Sequence, residues 1–165
     1  MAEIIILNSS FKRQAKTSKA FEVSVTKELM RGYTMSAMFV NNDPARSYLS
    51  NTSILELSGQ RYDIVGYSMI SGIDNTTQVN CEHVSYRLNN YLLPENYAFV
   101  GTVKQIAQDI LNTAVNSKGQ AASGEFKIGT APENTASLQL QNTQEVTARS
   151  AFLAMQALGV ECEFD

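Results

Sequence analysis

Tryptophan is absent from these 165 residues, histidine occurs once and cysteine twice. One His and two Cys cannot supply the four protein ligands of a structural zinc site, and they show no paired spacing. The single histidine, His83, must itself be the base of any Ser-His-Asp arrangement. With only Cys81 and Cys162, both inside expected strands, the chain does not read as a disulfide-stapled secreted scaffold, and reduced, buried thiols are expected. Charge is also scarce: Asp, Glu, Lys and Arg make up 18% of the residues, with a net charge of −3. That balance argues against a general nucleic-acid binder, which needs a basic field. No apolar run approaches the roughly 20 residues that cross a bilayer, so membrane insertion is not expected. The start, Met1-Ala-Glu-Ile-Ile-Ile-Leu, has neither the basic region nor the cleavage site of a signal peptide and reads as a first strand. Gly119–Gly124 lacks phosphate-loop spacing and precedes a strand where such a loop opens a helix. It reads as a connector, and no cofactor is expected.

What the chain has is 44% hydrophobic residues and abundant Asn, Ser, Thr and Gln, the composition of a globular protein with a polar, weakly charged surface. Its length suits one domain or two small ones. Residues 1–97 carry β-signals. Ile4–Leu7 is a short apolar run, and Phe21, Val23 and Val25 alternate onto one face. Tyr33–Val40 is β-rich and stops at Asn41-Asn-Asp-Pro, a turn signal. Ala45–Leu49 suggests a helical turn. Ile54-Leu-Glu-Leu leads through Ser58-Gly59 into Gln60–Tyr67 as a hairpin. After a turn at Asp74-Asn75, Gln78–Leu88 reads as one further strand. Six or seven short strands with little helix predict a barrel or a sandwich.

Residues 98–165 differ. Thr102 and Gln105 form a capping box, and Val103, Ile106, Ala107, Ile110, Leu111 and Ala114 share a helical face. Glu125–Gly129 and Ser137–Gln141 read as short strands. A second helix is expected from Asn142 or Thr143, with Glu145 in its first turn and Gly159 as C-cap. Val160–Phe164 alternates as a last strand that stops without a polar tail, as if cut within a larger protein. The fold class expected is therefore α+β, a barrel-like domain followed by a helix–strand–strand–helix–strand domain truncated at its C-terminal end.

Two groups of residues compete for a functional role. Cys81, Glu82, His83 and Tyr86 crowd together in Gln78–Leu88. On a strand, Cys81 and His83 point the same way about 7 Å apart, too far for the nucleophile–base hydrogen bond of a cysteine peptidase. Strand geometry favours a structural role, with a hydrolase using Cys81 and His83 as the alternative. The stretch Lys12, Arg13, Lys16 and Lys19 has four bases and no acid. It lacks the interleaved aromatics of a nucleic-acid site, and a solvated loop or a partner-contact loop fits it better.

The order of elements resembles a known family. Ser58-Gly-Gln-Arg-Tyr-Asp-Ile-Val is followed by Val79-Asn-Cys-Glu-His-Val-Ser-Tyr-Arg-Leu, then by Gly101-Thr-Val-Lys-Gln-Ile-Ala-Gln-Asp-Ile-Leu. Thr143–Leu158 then leads to Gly159-Val-Glu-Cys-Glu-Phe-Asp. Over roughly Val23–Asp165 this is similar to the N-terminal region of phage minor structural proteins, also called prophage tail-associated or tail-endopeptidase proteins. Glu82, His83, Tyr86 and Leu88 carry the most specific part, together with the closing Glu161-x-Glu163-Phe164-Asp165. Cys81 departs from the small or apolar residue expected there, and the basic stretch at Lys12–Lys19 is a second departure. The resemblance implies a baseplate hub or tail-tip component of a virion tail, made in the bacterial cytoplasm. It implies a homotrimeric ring that continues the tail tube and meets the distal tail protein and the tube or tape-measure proteins. Peptidase or cell-wall hydrolase activity, where the family has it, lies in later segments, so this stretch is expected to be non-enzymatic. A cell-surface carbohydrate- or peptide-binding β-module is the remaining alternative.

Overall fold

A computed structural model describes residues 3–28, 32–70, 75–131, 137–160 and 164. The chain divides into two compact units, 1–84 and 85–164. The division falls at the end of a strand and earlier than the residue-97 boundary expected from composition. The class is α+β, with most of the regular structure in one antiparallel sheet.

The first unit contains β1 (Ile4–Leu7), β2 (Arg13–Thr17), β3 (Phe21–Lys27), β4 (Tyr33–Val40), β5 (Ile54–Leu57), β6 (Gln60–Ile70) and β7 (Thr76–His83). They form one seven-stranded sheet in the order β2-β1-β5-β6-β7-β4-β3, antiparallel at every pairing. Alternation explains the core. In β4, Tyr33, Met35, Ala37 and Phe39 are buried and the residues between them are half-buried. Across the ladder, Thr77, Val79, Cys81 and His83 of β7 are buried in phase with them. The hairpin β5–β6 turns at Ser58-Gly59, both with positive φ (53° and 83°), as a two-residue turn matched to strand twist requires.

The two edge strands are consecutive in the chain. Because every pairing is antiparallel, β2 and β3 also point the same way. Only Ser18–Ala20 join them, a link that spans at most about 14 Å. The edges of a flat seven-stranded sheet lie about 29 Å apart, at roughly 4.8 Å per strand. The sheet is therefore rolled. Asp43, buried just beyond β4, accepts a hydrogen bond from the Thr17 hydroxyl at the end of β2, which ties that edge strand to the turn after β4, the neighbour of edge strand β3. No ladder pairs β2 with β3 among the described residues, so the expected barrel is not closed by hydrogen bonds.

Several expectations for this unit are corrected. The basic stretch Lys12–Lys19 is not a loop, because Arg13–Thr17 pairs with β1 as an edge strand and Lys16 reaches Glu3 at 3.0 Å. Phe21 and Val23 are half-buried, but Val25 is exposed: the register of β3 shifts between Phe21 and Ser24, where Glu22 has φ 48°. The strand expected over Gln78–Leu88 ends at His83, and Val84–Asn90 is a 3-10 turn. The buried positions change there from every second residue to Ser85 and Leu88, the spacing of three that a 3-10 turn imposes. Ala45–Leu49 behaves as expected in part, as a 3-10 turn over Pro44–Tyr48 capped by Asp43, with Ala45 and Leu49 buried and Tyr48 exposed. Asp74 lies outside the described residues; Asn75 has φ 37°.

The second unit contains β8 (Leu92–Leu93), β9 (Ala98–Gly101), α1 (Val103–Thr113), β10 (Leu138–Gln141), β11 (Val146–Thr147) and α2 (Ala148–Ala154). Its pairings, β9 with β10 and β8 with β11, are short. One apolar cluster holds them: Leu88, Leu93, Ile106, Ile110, Leu111, Phe152 and Met155 are among its buried members. The expected capping box is present, with the Gln105 N–H on Thr102 Oγ1 (3.4 Å) and the Thr102 N–H on Gln105 Oε1 (2.9 Å).

Here too the expectations need correction. Glu125–Gly129 is not a strand: the Phe126 N–H bonds to the Ala122 carbonyl (2.9 Å), so the chain is still turning there. The second helix begins at Ala148 instead of Asn142 or Thr143. β-branched Val146 and Thr147 pair with β8, and Thr147 is the N-cap, accepting from the Ser150 N–H at 3.1 Å. Gly159, at φ 78°, follows the last helical turn as expected. The final strand Val160–Phe164 rests on Glu161, Cys162 and Glu163, which lie outside the described residues together with Asp165.

Candidate functional site

The residues that drew attention in sequence fall into different surroundings. Cys81 is 2% exposed, between Met35 on β4 and Ile64 on β6 at paired positions. Burial, and then the nearby negative charge of Asp63, push its thiol up to about 12. A thiol that holds its proton so firmly is a poor nucleophile at neutral pH.

His83, 1% exposed, belongs to an aromatic cluster built across three adjacent strands. Its ring stacks on Tyr33 (centroids 4.2 Å apart, planes at 19°) and meets the edge of Tyr62 at 5.6 Å, while Tyr33 and Tyr62 meet edge-to-face at 5.7 Å. Register makes the cluster, since Tyr62 and His83 are direct cross-strand partners. His83 Nε2 lies 3.0 Å from Gln60 Oε1, an arrangement in which the ring N–H donates. Burial, followed by the hydrogen bond with Tyr33, raises the Tyr62 phenol above its ordinary range. Lys27 Nζ stands 5.1 Å from the Tyr33 ring centroid, a cation–π placement at the end of the cluster.

The four-residue motif is split by the division of the chain. Glu82 and His83 close β7 in the first unit, whereas Tyr86 and Leu88 lie in the second. Leu88 is a buried member of the second core, and Tyr86 is half-buried beneath the Arg149 guanidinium, 4.1 Å from its ring centroid. The motif thus supplies core residues to two units and assembles no single catalytic centre. Lys12, Arg13, Lys16 and Lys19 are all exposed along or beside edge strand β2. Among the described residues, no group of three His, Cys, Asp or Glu side chains is placed to hold a metal, and no helix is long and apolar enough to cross a membrane.

With this geometry in place, comparison with known proteins finds likeness at the level of fold. No protein-family model matches the chain, and no curated protein matches it by sequence. A solved structure does: prophage tail protein gp18 from Listeria monocytogenes EGD-e, with a TM-score of 0.69 over 96% of this chain, at 13% identity. The two share a fold. The match takes in 46% of the Listeria protein, so this chain spans under half of its length.

Sequence reading missed the polar ties of the second unit. Glu125 accepts from Arg87 Nη1 and from the Tyr91 hydroxyl, both at 2.8 Å, and Asp109 accepts from the Tyr97 hydroxyl at 2.8 Å. Burial first, and then these carboxylate bonds, raise both phenols above their ordinary range. The Arg87–Glu125 and Tyr91–Glu125 partners are far apart in sequence, so no local pattern announces them.

Proposed function

We propose that this chain is a structural module of a phage or prophage tail, of the tail-tip or baseplate-hub kind. In this reading it acts by assembly: a homotrimeric ring continues the tail tube and binds the distal tail protein and tube or tape-measure proteins, in a virion tail made in the bacterial cytoplasm. The observation that carries the reading is the fold likeness to a prophage tail protein over nearly the whole chain. The sequence resemblance carried by Glu82, His83, Tyr86 and Leu88 points the same way. We read the first unit as barrel-like, with β2 and β3 as two halves of one bent strand whose covalent link forms the seam. A weakly charged surface suits contacts that pair without burying ions, and a net charge of −3 suits a tube wall that passes DNA without holding it.

We further propose that the module is not catalytic, any peptidase or cell-wall hydrolase activity lying in other segments of the parent protein. The buried, protonated Cys81 and the stacked His83 favour this over a cysteine hydrolase. No observation favours a carbohydrate-binding module. Immunogold labelling of induced phage particles with antibody to this chain tests the reading. Gold at the distal end of tails is expected; particles without label, with all antigen in the soluble fraction, would overturn it.

A further inference from the structure

Strand β6 outlasts one of its neighbours. Its ladder with β5 covers only Gln60–Asp63, while its ladder with β7 runs on to Ile70. From Val65 to Ile70 the strand therefore has β7 on one side and no described strand on the other. A bulge sharpens the situation. The register shifts between Ile64 and Gly66, where a Cβ would stand 3.3 Å from Asn80 Nδ2. After the shift, Tyr67 and Met69 pair with Val79 and Thr77, so they lie on the face of the sheet that is buried elsewhere. Yet Val65, Tyr67, Met69 and Ile70 are 58%, 39%, 68% and 41% exposed. Tyr67 and Met69 also line one wall of a groove of about 570 Å³, whose other wall is Asn41–Pro44, Arg46, Ser47 and Leu49.

Soluble proteins blunt open edges with lysine, proline or short strands. Edge strand β2 follows that rule, with Arg13 and Lys16 among its five residues. The segment Val65–Ile70 does not: it is uncharged, mostly apolar and largely exposed.

We propose that this edge takes strand β3 (Phe21–Lys27) of a second copy of the chain as its antiparallel neighbour. The choice rests on length and charge. β3 is an edge strand of seven residues with an uncharged centre, Val23–Thr26, and a charge near each end, Glu22 and Lys27. The two cations of β2 would instead be desolvated against an uncharged edge. In a register that sets Val23 opposite Met69, Glu22 arrives at the Arg46 end of the groove. The Arg46 guanidinium there contacts Asn41, Thr77 and Met69, all neutral. Lys27 falls opposite Val65, toward Asp63. Two β6 edges paired about a twofold axis would bring two such Arg46 groups into one interface, with only the Asp43 carboxylates, already accepting from Thr17 and the Ala45 N–H, beside them. Pairing β6 with β3 is heterologous: in a pair one copy keeps a free β3 edge and the other a free β6 edge, so the contact propagates until a ring closes. The inference deepens the assembly reading and names its surface, but its readout is self-association of the 165-residue chain, independent of whether the protein reaches a tail.

Light scattering on the eluting full chain, across a wide concentration range, is the first test. The wild-type chain is expected to self-associate, and Met69→Lys, a change at an exposed site, to weaken association about tenfold or more with an unchanged thermal midpoint at dilutions where both chains are monomeric. In a Cys162→Ser background, a Met69→Cys chain mixed with a Val23→Cys chain is expected to form an intermolecular disulfide, while Met69→Cys alone is not. A wild-type chain that stays monomeric at the highest concentration overturns the proposal. So does association indifferent to Met69→Lys, or an efficient disulfide formed by Met69→Cys alone. Label at tail tips together with any of these results removes the edge pairing and leaves the tail reading standing.

Discussion

In the first unit, β4 is laddered on both sides over almost its whole length, and the backbone itself fixes where each side chain stands. In the second, ladders are two or four residues long, and position is set by an apolar cluster with Arg87, Tyr91 and Tyr97 tied to Glu125 and Asp109. The difference is one of redundancy. A sheet distributes its hydrogen bonds over many residues and tolerates the loss of any one side-chain contact. A unit held by side chains concentrates its polar stability in a few groups.

Core truncation should hurt both units and gives the largest effect. Phe39→Ala should destabilise the first unit by about 3–5 kcal/mol and Ile110→Ala the second by about 2–5 kcal/mol, read by urea unfolding with hydrogen exchange resolved to each unit. Equal losses of amide protection in both units from either substitution would erase the contrast. The sharper test is polar. Glu125→Ala removes the acceptor of two charge-assisted bonds and should cost about 1.5–3 kcal/mol. Glu56→Ala, which breaks the single Arg61–Glu56 pair (3.0 Å) of the sheet, with Arg61 46% exposed, should cost about 0–1 kcal/mol. Comparable values for the two would remove the argument from redundancy. Next in size, Thr102→Ala should cost about 1 kcal/mol by unmaking the capping box of α1, visible as a lowered denaturation midpoint.

The smallest effect at neutral pH is also the most selective. The Cys81 thiol, ordinarily at 9.0, is pushed up to about 12 in the fold. The unfolded chain releases that proton first, so the contribution is intact below about 9 and is lost as pH rises toward 12. Tyr62 is raised in the same direction. Cys81→Ala should flatten the decline of stability in alkali, on top of a modest pH-independent loss from deleting one buried sulfur. Thiol labelling of the wild-type protein should find Cys81 unreactive until the fold opens; rapid labelling of Cys81 in the native protein would contradict its placement.

The same contrast explains what could be read in the sequence. Where period-two alternation continues through a ladder, as in Tyr33–Val40, or where a turn has its own signature, as at Ser58-Gly59, the expectation and the structure coincide. The Thr102–Gln105 capping box and the face from Val103 to Leu111 were equally legible, because a helix is written locally. Failures came where a distant partner decides. Lys12–Lys19 looked like a loop because its pairing with β1 leaves no apolar trace. Val146–Thr147 looked helical because its partner, Leu92–Leu93, is far away in sequence. Glu125–Gly129 has the alternation of a strand, but Glu125 is committed to Arg87 and Tyr91. The candidate site was legible in part: Cys81 and His83 on one face follow from alternation, whereas the stack of His83 on Tyr33 depends on the register of three strands.

The order of strands in the sheet also sets an order in time. β1 is synthesised first, yet one of its two partners is β5, so its inner edge stays open until residues 54–57 have been made. β3 can pair with β4 as a local hairpin before that, and β5 with β6 as soon as residues 60–63 follow. The β1 and β2 pair, tied to β3 by Ser18–Ala20, can complete its inner ladder only after β5 is in place. In pulse-labelled refolding the amides of β1 facing β5 are accordingly expected among the last to gain protection, which makes the N-terminal pair the latch of the first unit.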